Sequence, residues 1–339
     1  MQTSQTAVDD VGGVPSLTWR RDELLVRLEP TALAAVRAAA IACRYWDGRG
    51  DGPAADAAAT DAMRAALASA PGAGTVVVGE GAKDEAPMLY DGEQVGSEEG
   101  PAFDIAVDPL EGTSLCAAGL PGSLATIAVA PAGSMAPMGR SFYMDKLVGP
   151  PATRDAIDIT NSPEVNLTRA AEALEKQVDE LRVIVLDKPR HAELTERLRR
   201  AGASVSTPPA NDVAGALAAL LPAGGADLLM GIGGTPEGVM TACAVRALGG
   251  FMQARLAPQD EDEERAVTDA GLSTERVYAA EELVSGDAFF AATGVTGGDL
   301  LRRPWRSRRS TSTESLVIAA GSIRYVVEMI PDAENGNAT

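Results

Sequence analysis

The sequence predicts an α/β protein, and three observations support that prediction. Short runs of β-branched residues, such as Thr75–Gly79, have the composition of buried strands. Between them lie longer stretches whose apolar residues recur at spacings of three and four, the period of an amphipathic helix. Apolar residues make up 45% of the 339-residue chain, which is long enough for two domains or one large layered domain.

The chain is predicted to begin its folded part with two helices and a strand. A helix is expected from Leu24 to about Tyr45 because its apolar residues share one face. The glycine-rich loop Trp46–Asp51 follows, and a second helix runs from about Ala55 to Ser69, where a Pro-Gly pair ends it. The strand Thr75–Gly79 then leads into an acidic segment that starts at Glu80.

The stretch from Asp104 to Thr113 is predicted to be a buried strand that runs into a tight acidic turn. Ile105 and Val107 alternate with polar or small residues, the period of a strand, and Pro109 is expected to end it. The turn carries two carboxylates, which repel each other unless a cation lies between them. Two interpretations stay open here: a solvated acidic turn, or a divalent-metal site at the carboxyl end of a strand.

The remaining elements are expected to alternate, with a boundary between two halves at Gly149–Ala152. The expected strands are Gly122–Ala130, Tyr143–Leu147, Leu181–Leu186, Asp227–Met230, Phe289–Thr293 and Ser315–Ala319. The expected helices are Ala192–Ala201, Asn211–Leu221 and one that Thr235 caps and Gly249 ends. Gln259–Arg265 is interpreted as a charged surface stretch. The predicted organisation is a flexible tail at 1–20, α/β halves at 21–150 and 151–330, and a flexible tail at 331–339.

Charge and cysteine usage narrow the function classes. The formal net charge is −19, so nucleic acid and anionic membranes, which need basic surface, are not expected as partners. Three widely spaced cysteines show no disulfide or zinc pattern and are expected to be reduced thiols in a cytoplasmic protein. No signal peptide or membrane span is predicted. With His191 as the single histidine, chemistry is expected to depend on carboxylates, hydroxyls and metal ions.

Four acidic stretches share one design, because each places carboxylates at a glycine-rich turn beside a strand or helix end. They carry the candidate metal ligands Asp51, Glu80, Asp108, Glu111 and Glu237. Oxygen ligands without His or Cys favour Mg²⁺ or Mn²⁺. Two such ions can polarise a phosphoryl group and activate a water for in-line attack. Each acid alone is also compatible with a capping or surface role, as is Glu237 in the first turn of a helix.

Cationic and glycine-rich segments offer sites for a phosphate. Lys188 and Arg190 follow a predicted strand and suit a distal phosphate, although solvated surface charge is an equal alternative. Gly231–Gly234 resembles a phosphate-cradling loop but lacks the P-loop lysine and a complete GxGxxG pattern, so a close-packed turn fits equally well. The basic segment Arg302–Arg309 is interpreted as a loop tip or a helper for anionic ligands.

Together these motifs resemble the class II fructose-1,6-bisphosphatase family, over nearly the whole chain. The matching stretches are Gly48–Asp51, Gly79–Gly81, Asp84–Tyr90, Asp104–Thr113, Tyr143–Leu147, Lys188–His191, Asp212–Val213, Gly231–Gly238 and Ala292–Thr296. The resemblance implies a layered α/β/α/β/α sandwich of the sugar phosphatase type. It also implies a homo-oligomer, either a dimer or a tetramer.

The resemblance further implies metal-dependent removal of the 1-phosphate of fructose 1,6-bisphosphate, which gives fructose 6-phosphate and phosphate. By motif position it implies the same five metal ligands, two or more Mg²⁺ or Mn²⁺ ions, and catalytic roles for Asp108, Glu111 and Thr113. Thr113 would help to position or activate the attacking water. The implied substrate-binding residues are Gly112, Thr113, Tyr143, Lys188, Pro189, Arg190, Asn211, Asp212 and Gly234.

Three departures from the family pattern lie in these motifs. Gly52 replaces a lysine after the GRGD aspartate, Ala82 replaces a glutamate, and Ala210 replaces the first residue of an Asp-Gly-Asp triplet. Loss of that aspartate removes an acceptor for a sugar hydroxyl, which can shift substrate choice strongly. Two alternatives therefore stay open. One is a phosphatase for another sugar phosphate, such as sedoheptulose 1,7-bisphosphate or a sugar monophosphate; the other is a non-catalytic sugar-phosphate-binding protein.

Overall fold

Two β-sheets and the helices around them form the structure, a computed structural model that describes residues 21–81, 88–97, 99–139 and 141–331. The helices among these residues are α1 (Arg21–Cys43), α2 (Gly52–Leu67), α3 (Thr113–Ala118), α4 (Pro163–Ala173), α5 (Ala192–Arg200), α6 (Asp212–Leu220), α7 (Thr235–Leu248), α8 (Glu261–Asp269) and α9 (Ala280–Leu283). None of these helices has the length and apolarity that a membrane crossing requires.

The strands of the described residues are β1 (Ala73–Val78), β2 (Gln94–Gly96), β3 (Ala102–Glu111), β4 (Leu124–Pro131), β5 (Tyr143–Gly149), β6 (Arg182–Ile184), β7 (Ser204–Ser206), β8 (Leu228–Gly234), β9 (Phe251–Leu256), β10 (Tyr278–Ala279), β11 (Phe289–Gly294), β12 (Trp305–Ser307), β13 (Ser310–Ala319) and β14 (Ser322–Pro331). The tails predicted at 1–20 and 331–339 lie outside the described residues, except for Pro331 at the end of β14.

The larger sheet has eight strands and combines early and late segments of the chain. Its order is β12-β13-β11-β4-β3-β1-β2, and β14 pairs with β13 along the whole length of that strand. β1 and β3 run parallel, and the other pairs of this sheet are antiparallel. Strands from before and after residue 150 thus lie in one sheet, and the division of the chain into two halves stays a prediction.

The smaller sheet has six strands in the order β10-β9-β5-β8-β6-β7. β6 is parallel to β7 and β8, whereas β5 is antiparallel to both β8 and β9. Tyr143, the first residue of β5, therefore lies opposite Gly234, the last residue of β8. The start of β5 and the carboxyl ends of β6 and β8 meet at one edge, which is where open α/β sheets bind ligands.

Three apolar cores lie between the layers and confirm the predicted α/β/α/β/α sandwich. α1 and α2 cover one face of the larger sheet, with Val36 and Ile127 in the core between them. α6 and α7 lie between the two sheets and contribute Val239 to the central core. α4 and α5 cover the outer face of the smaller sheet through Leu167 and Leu198. β4 is buried at every residue because helices cover both of its faces.

β3 is longer than the sequence predicts. Pro109 was expected to end the strand, but β3 continues to Glu111. The pairing with β4 shifts by one residue between Asp108 and Glu111, so the proline sits in a β-bulge. At a bulge, the missing N–H of proline does not interrupt the ladder. The turn follows at Gly112, whose φ of +80° lies in the left-handed region that favours glycine.

Two further predictions are wrong in detail. Gly234 rather than Thr235 is the N-cap of α7, and the Thr235 hydroxyl instead lies 3.2 Å from the Ser141 hydroxyl. The stretch Gln259–Arg265 is not entirely surface, because it leads into α8 and its Glu263 side chain is buried. The helix α4 and the strands β9 and β14 were not predicted at all.

Candidate active site

Three carboxylates form the centre of the site and are called the carboxylate cluster below. Asp108 and Glu111 come from the end of β3, and Glu237 comes from the first turn of α7. One side-chain oxygen from each residue lies within 4.8 Å of the corresponding oxygens of the other two. Carboxylates at this spacing repel unless protons or cations lie between them. The cluster therefore has the composition and the size of a binding site for a divalent cation with oxygen ligands.

The bulge of β3 and the turn after it fix Asp108 and Thr113. Asp108 Oδ1 accepts a hydrogen bond from the Leu110 N–H at 2.9 Å. The Thr113 hydroxyl donates to the Leu110 carbonyl, also at 2.9 Å. Ser123 Oγ donates to the Gly112 carbonyl at 2.8 Å and so holds the turn. One short backbone segment thus sets the position of both a cluster carboxylate and the hydroxyl beside it.

Two glycines let Glu237 and Asp212 approach the backbone. A Cβ at Gly234 would lie 1.7 Å from Glu237 Oε2, and a Cβ at Gly233 would lie 1.6 Å from Asp212 Oδ2. Neither glycine has a positive φ, so the close approach of the carboxylates is what requires them. Glu237 Oε2 is buried and has no hydrogen-bond partner among the described residues. A buried carboxylate oxygen without a donor fits a metal ligand.

Burial and mutual repulsion raise the pKa values of the cluster. Burial and the charge of Asp212 raise the pKa of Glu237 to about 7, against the opposing charge of Lys146. Burial raises the pKa of Asp108 to about 6. Burial and the neighbouring charge of Asp108 hold the pKa of Glu111 well above its usual range. A cation among these groups would favour their charged forms and lower all three pKa values.

Glu80 and Asp51, the other two predicted ligands, lie in different settings. Burial and the charges of Asp108 and Asp56 raise the pKa of Glu80 to about 9, so Glu80 lies within electrostatic reach of the cluster. Asp51 is exposed and caps α2, where its Oδ1 accepts from the Ala54 N–H at 3.1 Å. The structure thus places Glu80 beside the cluster and Asp51 at the start of a helix.

Asn211 and Asp212 begin α6 with different roles. Both ends of the Asn211 carboxamide are engaged, because Oδ1 accepts from the Ala214 N–H and Nδ2 donates to the Gly122 carbonyl, each at 2.7 Å. Asn211 is therefore the N-cap of α6. Asp212 points to the cluster side, and Lys146 Nζ lies 2.6 Å from its Oδ2. That contact is an ion pair whose angles fall outside those of a hydrogen bond.

Tyr143 and the segment from Lys188 to Arg190 lie at the edge of the site. The Arg190 guanidinium carbon is 5.0 Å from the centroid of the Tyr143 ring, a cation–π arrangement. Arg190 also donates a hydrogen bond to the Ile232 carbonyl at 3.1 Å. Lys188 is half-buried and Pro189 is exposed. These groups have the charge and position to meet the phosphate of a ligand that extends from the cluster.

Glu263 holds the start of β5 in place, although the sequence predicts that it lies on the surface. Its Oε1 accepts from the N–H groups of Phe142 and Tyr143 at 2.7 and 2.9 Å. Its Oε2 accepts from the Gln259 N–H at 2.9 Å. These three bonds satisfy a carboxylate that is only 4% exposed. Helix α8 thereby fixes the backbone of Tyr143.

His191 joins the cationic segment to the glycine segment of β8. Its Nδ1 donates to the Leu186 carbonyl and its Nε2 accepts from the Ile232 N–H, both at 2.8 Å. A carbonyl oxygen only accepts and an amide N–H only donates, so this pair of bonds requires the neutral ring with its proton on Nδ1. Burial lowers the pKa of His191, which agrees with a neutral ring.

Sequence reasoning missed four residues that shape the site. These are Asp56, Lys146, His191 and Glu263, none of which was given a role. For Lys146 a signal was present in the sequence. Met144, Lys146 and Val148 are spaced two residues apart, so they share one buried face of β5. A lysine at such a position requires a partner. The other three depend on contacts between segments far apart in the chain, which local patterns do not contain.

The departures from the family pattern fall in different places. A Cβ at Gly52 would lie 3.1 Å from Thr113 Cγ2, so position 52 packs against the methyl group of the predicted catalytic residue. Ala210 lines a cavity of about 720 Å³ together with Asn211 and Gly122. Ala82 lies outside the described residues. Gly52 is thus the departure that packs directly against the predicted catalytic residue Thr113.

The fold and the site together define a class of enzyme. A layered α/β/α/β/α sandwich gathers acidic and cationic groups at one sheet edge, and the acids suit divalent cations that act on phosphate esters. The chain belongs to the bacterial fructose-1,6-bisphosphatase family, since the profile described as "Bacterial fructose-1,6-bisphosphatase, glpX-encoded" matches residues 27–330. This confirms the resemblance to class II enzymes and makes the protein a phosphoric monoester hydrolase of a divalent-metal-dependent family.

Two relatives agree with this assignment. The chain is 40% identical over 321 residues to the D-fructose 1,6-bisphosphatase class 2/sedoheptulose 1,7-bisphosphatase of Synechococcus sp. (strain JA-2-3B'a(2-13)), which covers 86% of this chain and 92% of the relative. A protein of the same name from Thermosynechococcus vestitus is 42% identical over 316 residues, or 85% of this chain and 90% of the relative.

The packing around Gly233 generates a first prediction. Gly233→Ala places a Cβ 1.6 Å from Asp212 Oδ2, which forces Asp212 away from Lys146. We expect the unfolding free energy to fall by about 2 kcal/mol, and KM for the sugar phosphate to rise about tenfold or more. The control is Gly286→Ala, whose Cβ meets only Ser134 at 3.4 Å. Denaturant titration and steady-state kinetics measure both effects. Wild-type stability and KM in Gly233→Ala would contradict this packing.

The raised pKa of Glu237 generates a second prediction, for the protein freed of metal with EDTA. Between its ordinary pKa of 4.5 and about 7, Glu237 keeps a proton when folded that the unfolded chain has released. The unfolding free energy therefore falls as pH rises through this window. Glu237→Gln mimics the protonated group and escapes this loss. At pH 8 we expect it to be more stable than wild type by on the order of 3 kcal/mol.

At pH 4.5 the two proteins are expected to have nearly equal stability, because wild-type Glu237 is then still protonated in the folded state. Urea unfolding at both pH values provides the measurement. The exposed Glu264→Gln on α8 is the matched control and should show no pH-dependent difference. A stability difference for Glu237→Gln that is the same at both pH values would contradict the raised pKa.

Proposed function

We propose that the protein removes the 1-phosphate of fructose 1,6-bisphosphate and releases fructose 6-phosphate and phosphate. The observation that supports this most directly is the carboxylate cluster, in which one oxygen of each acid lies within 4.8 Å of the others, in a chain of this family. Membership in an enzyme family favours catalysis over the non-catalytic alternative. The names of both relatives include hydrolysis of this sugar bisphosphate.

The proposed metal ligands are Asp51, Glu80, Asp108, Glu111 and Glu237. Their donors are all carboxylate oxygens, which suits Mg²⁺ or Mn²⁺, and their number suits two or more ions. When bound, such ions offset phosphate charge and lower the pKa of a water molecule. The buried Glu237 Oε2 that lacks a donor among the described residues supports its place in this set. Asp51 is exposed, so it would bind a metal ion at the solvent-facing edge of the site.

Thr113 is proposed to orient the attacking water. Its hydroxyl proton is directed to the Leu110 carbonyl, so its oxygen lone pairs are left to accept a hydrogen bond from water. Asp108, fixed by the Leu110 N–H, is placed on the same short segment. Attack in line with the leaving sugar oxygen would form the new phosphorus–oxygen bond as the ester bond breaks. Gly112 leaves the phosphate room to approach.

The other end of the substrate is proposed to lie between Asp212 and the cationic segment. Lys188, Pro189 and Arg190 would hold the remaining phosphate, with Arg190 placed by its contact with Tyr143. Asp212 and the backbone at Gly234 would accept and position sugar hydroxyls. Asn211 would act through the backbone, because both ends of its side chain are engaged.

Sedoheptulose 1,7-bisphosphate is the second candidate substrate. Both relatives carry this activity in their names. In this chain the position next to Thr113 is the buried Gly52, so the lysine cation that the family pattern has there is missing. We also propose a homo-oligomer, which rests on the resemblance to the class II family. A cytoplasmic location is proposed because Cys43, Cys116 and Cys243 are free and buried, as suits a reducing compartment.

The roles of the acids and the hydroxyl generate a third prediction. Asp108→Asn and Glu111→Gln are expected to lower kcat by a factor of about 10³ or more, because each removes a charge from the cluster. Thr113→Ala is expected to lower kcat about a hundredfold with KM within twofold, because its hydroxyl acts on the water and not on the sugar. The exposed neighbour Ser114→Ala is the control. Full turnover by Asp108→Asn would contradict the mechanism.

The choice of substrate generates a fourth prediction. In a phosphate-release screen with Mg²⁺ or Mn²⁺, fructose 1,6-bisphosphate is expected to give the highest kcat/KM, with sedoheptulose 1,7-bisphosphate second. Gly52→Lys forces a side chain against Thr113, because its Cβ alone would lie 3.1 Å from Thr113 Cγ2, and is expected to lower kcat/KM for both bisphosphates. A monophosphate as the best substrate would overturn the proposed activity while leaving the family assignment intact.

A further inference from the structure

Lys146 is a buried cation next to the carboxylate cluster, and nothing described above gives it a task in the reaction. It lies in the middle of β5 and its side chain is 1% exposed. Its Nζ donates a hydrogen bond to the Gly234 carbonyl at 2.6 Å and forms an ion pair with Asp212 Oδ2, also at 2.6 Å. Lys176, which also pairs with an aspartate, is by contrast 39% exposed.

A buried ammonium costs free energy unless its surroundings compensate for lost water. Here the compensation comes from two sides, the Gly234 carbonyl and the Asp212 carboxylate, which is itself only 6% exposed. The backbone is shaped around this pair. A Cβ at Gly233 would overlap Asp212 Oδ2 and would lie 3.2 Å from Lys146 Nζ. The pair is therefore a built feature of the site and not a chance approach of two surface chains.

Asp212 without Lys146 would be a fourth carboxylate at the cluster. Its charge reaches Asp108, Glu111 and Glu237, since it contributes to the rise in pKa of all three. Asp212 and these acids differ in one respect: a cation from the chain itself already balances Asp212. A divalent ion gains less from a carboxylate that is already paired than from one that is not.

We propose that Lys146 is a positioning residue. Its charge keeps the Asp212 carboxylate available to bind the sugar and prevents it from acting as a metal ligand. This inference rests on the proposed function, because it concerns the substrate of that reaction. The backbone of Asp212 is fixed by the cap of α6, and Lys146 fixes the far end of its side chain. Lys146 occupies the buried Oδ2, so a sugar hydroxyl would donate to Oδ1 of Asp212.

The test compares Lys146→Met with wild type and with Lys176→Met. Methionine keeps an unbranched side chain of similar length and removes the charge. Lys176 lies 2.5 Å from Asp227, so Lys176→Met breaks a Lys–Asp pair remote from the site and serves as the matched control. Calorimetric titration of the EDTA-treated proteins with Mn²⁺ gives the binding stoichiometry. Steady-state kinetics on fructose 1,6-bisphosphate gives KM and kcat separately.

For Lys146→Met we expect one more Mn²⁺ equivalent per chain than for wild type, because Asp212 becomes an available ligand. KM is expected to rise at least tenfold while kcat stays within threefold. Lys176→Met should match wild type in both measurements. Unchanged stoichiometry and unchanged KM in a folded Lys146→Met would overturn the proposal, and so would a fall in kcat with KM unchanged.

A second variant keeps the test decisive if Lys146→Met does not fold. The double variant Lys146→Met/Asp212→Asn removes both charges and leaves no unpaired buried ion. It is expected to bind as many Mn²⁺ ions as wild type and to keep the raised KM; a wild-type KM would overturn the proposal. Failure of the proposed function gives a different pattern, in which wild type and Lys176→Met also release no phosphate from any sugar phosphate.

Discussion

The repulsion among buried carboxylates at one edge of the fold is the constraint on which the rest of the site depends. Asp108, Glu111 and Glu237 bring their oxygens within 4.8 Å of one another, in surroundings that hold their pKa values high. Such a group is stable only if protons or cations compensate its charge. The net charge of −19 adds to the electrostatic repulsion that must be compensated at these carboxylates. The enzyme's dependence on divalent ions thus follows from its own packing.

The layered fold meets this constraint by delivering each charge from a different element. β3 carries Asp108 and Glu111 at its bulge. α7 carries Glu237, which packs against the backbone of Gly234. The smaller sheet and the segment after β6 supply cations to the same edge. Of these, Lys146 is buried and Arg190 is exposed. Glu263 and His191 then tie these elements together through backbone hydrogen bonds. In the proposed mode of binding, a substrate with two phosphates would meet acids and metal at one end and fixed cations at the other.

Much of this arrangement was predictable from local sequence patterns. The α/β layers follow from hydrophobic periodicity, and the acids at Gly-rich turns indicate a metal site. The bulge at Pro109 was not predictable, because a proline ends most strands and only pairing with β4 retains this one. The sequence predicts a surface position for Glu263, because two of its three donors, the N–H groups of Phe142 and Tyr143, are distant in the chain. Local patterns indicate which residues carry charge, whereas tertiary packing decides which charges become buried and paired.

The central claim is that the carboxylate cluster holds the divalent ions of the enzyme. The most direct measurement is anomalous diffraction at the manganese edge from crystals grown with Mn²⁺ and inorganic phosphate. The account predicts a manganese peak about 2.0–2.3 Å from oxygens of Asp108, Glu111 and Glu237, with phosphate beside Thr113. Manganese bound elsewhere, with these three carboxylates hydrogen-bonded to one another in the same crystal, would contradict the account.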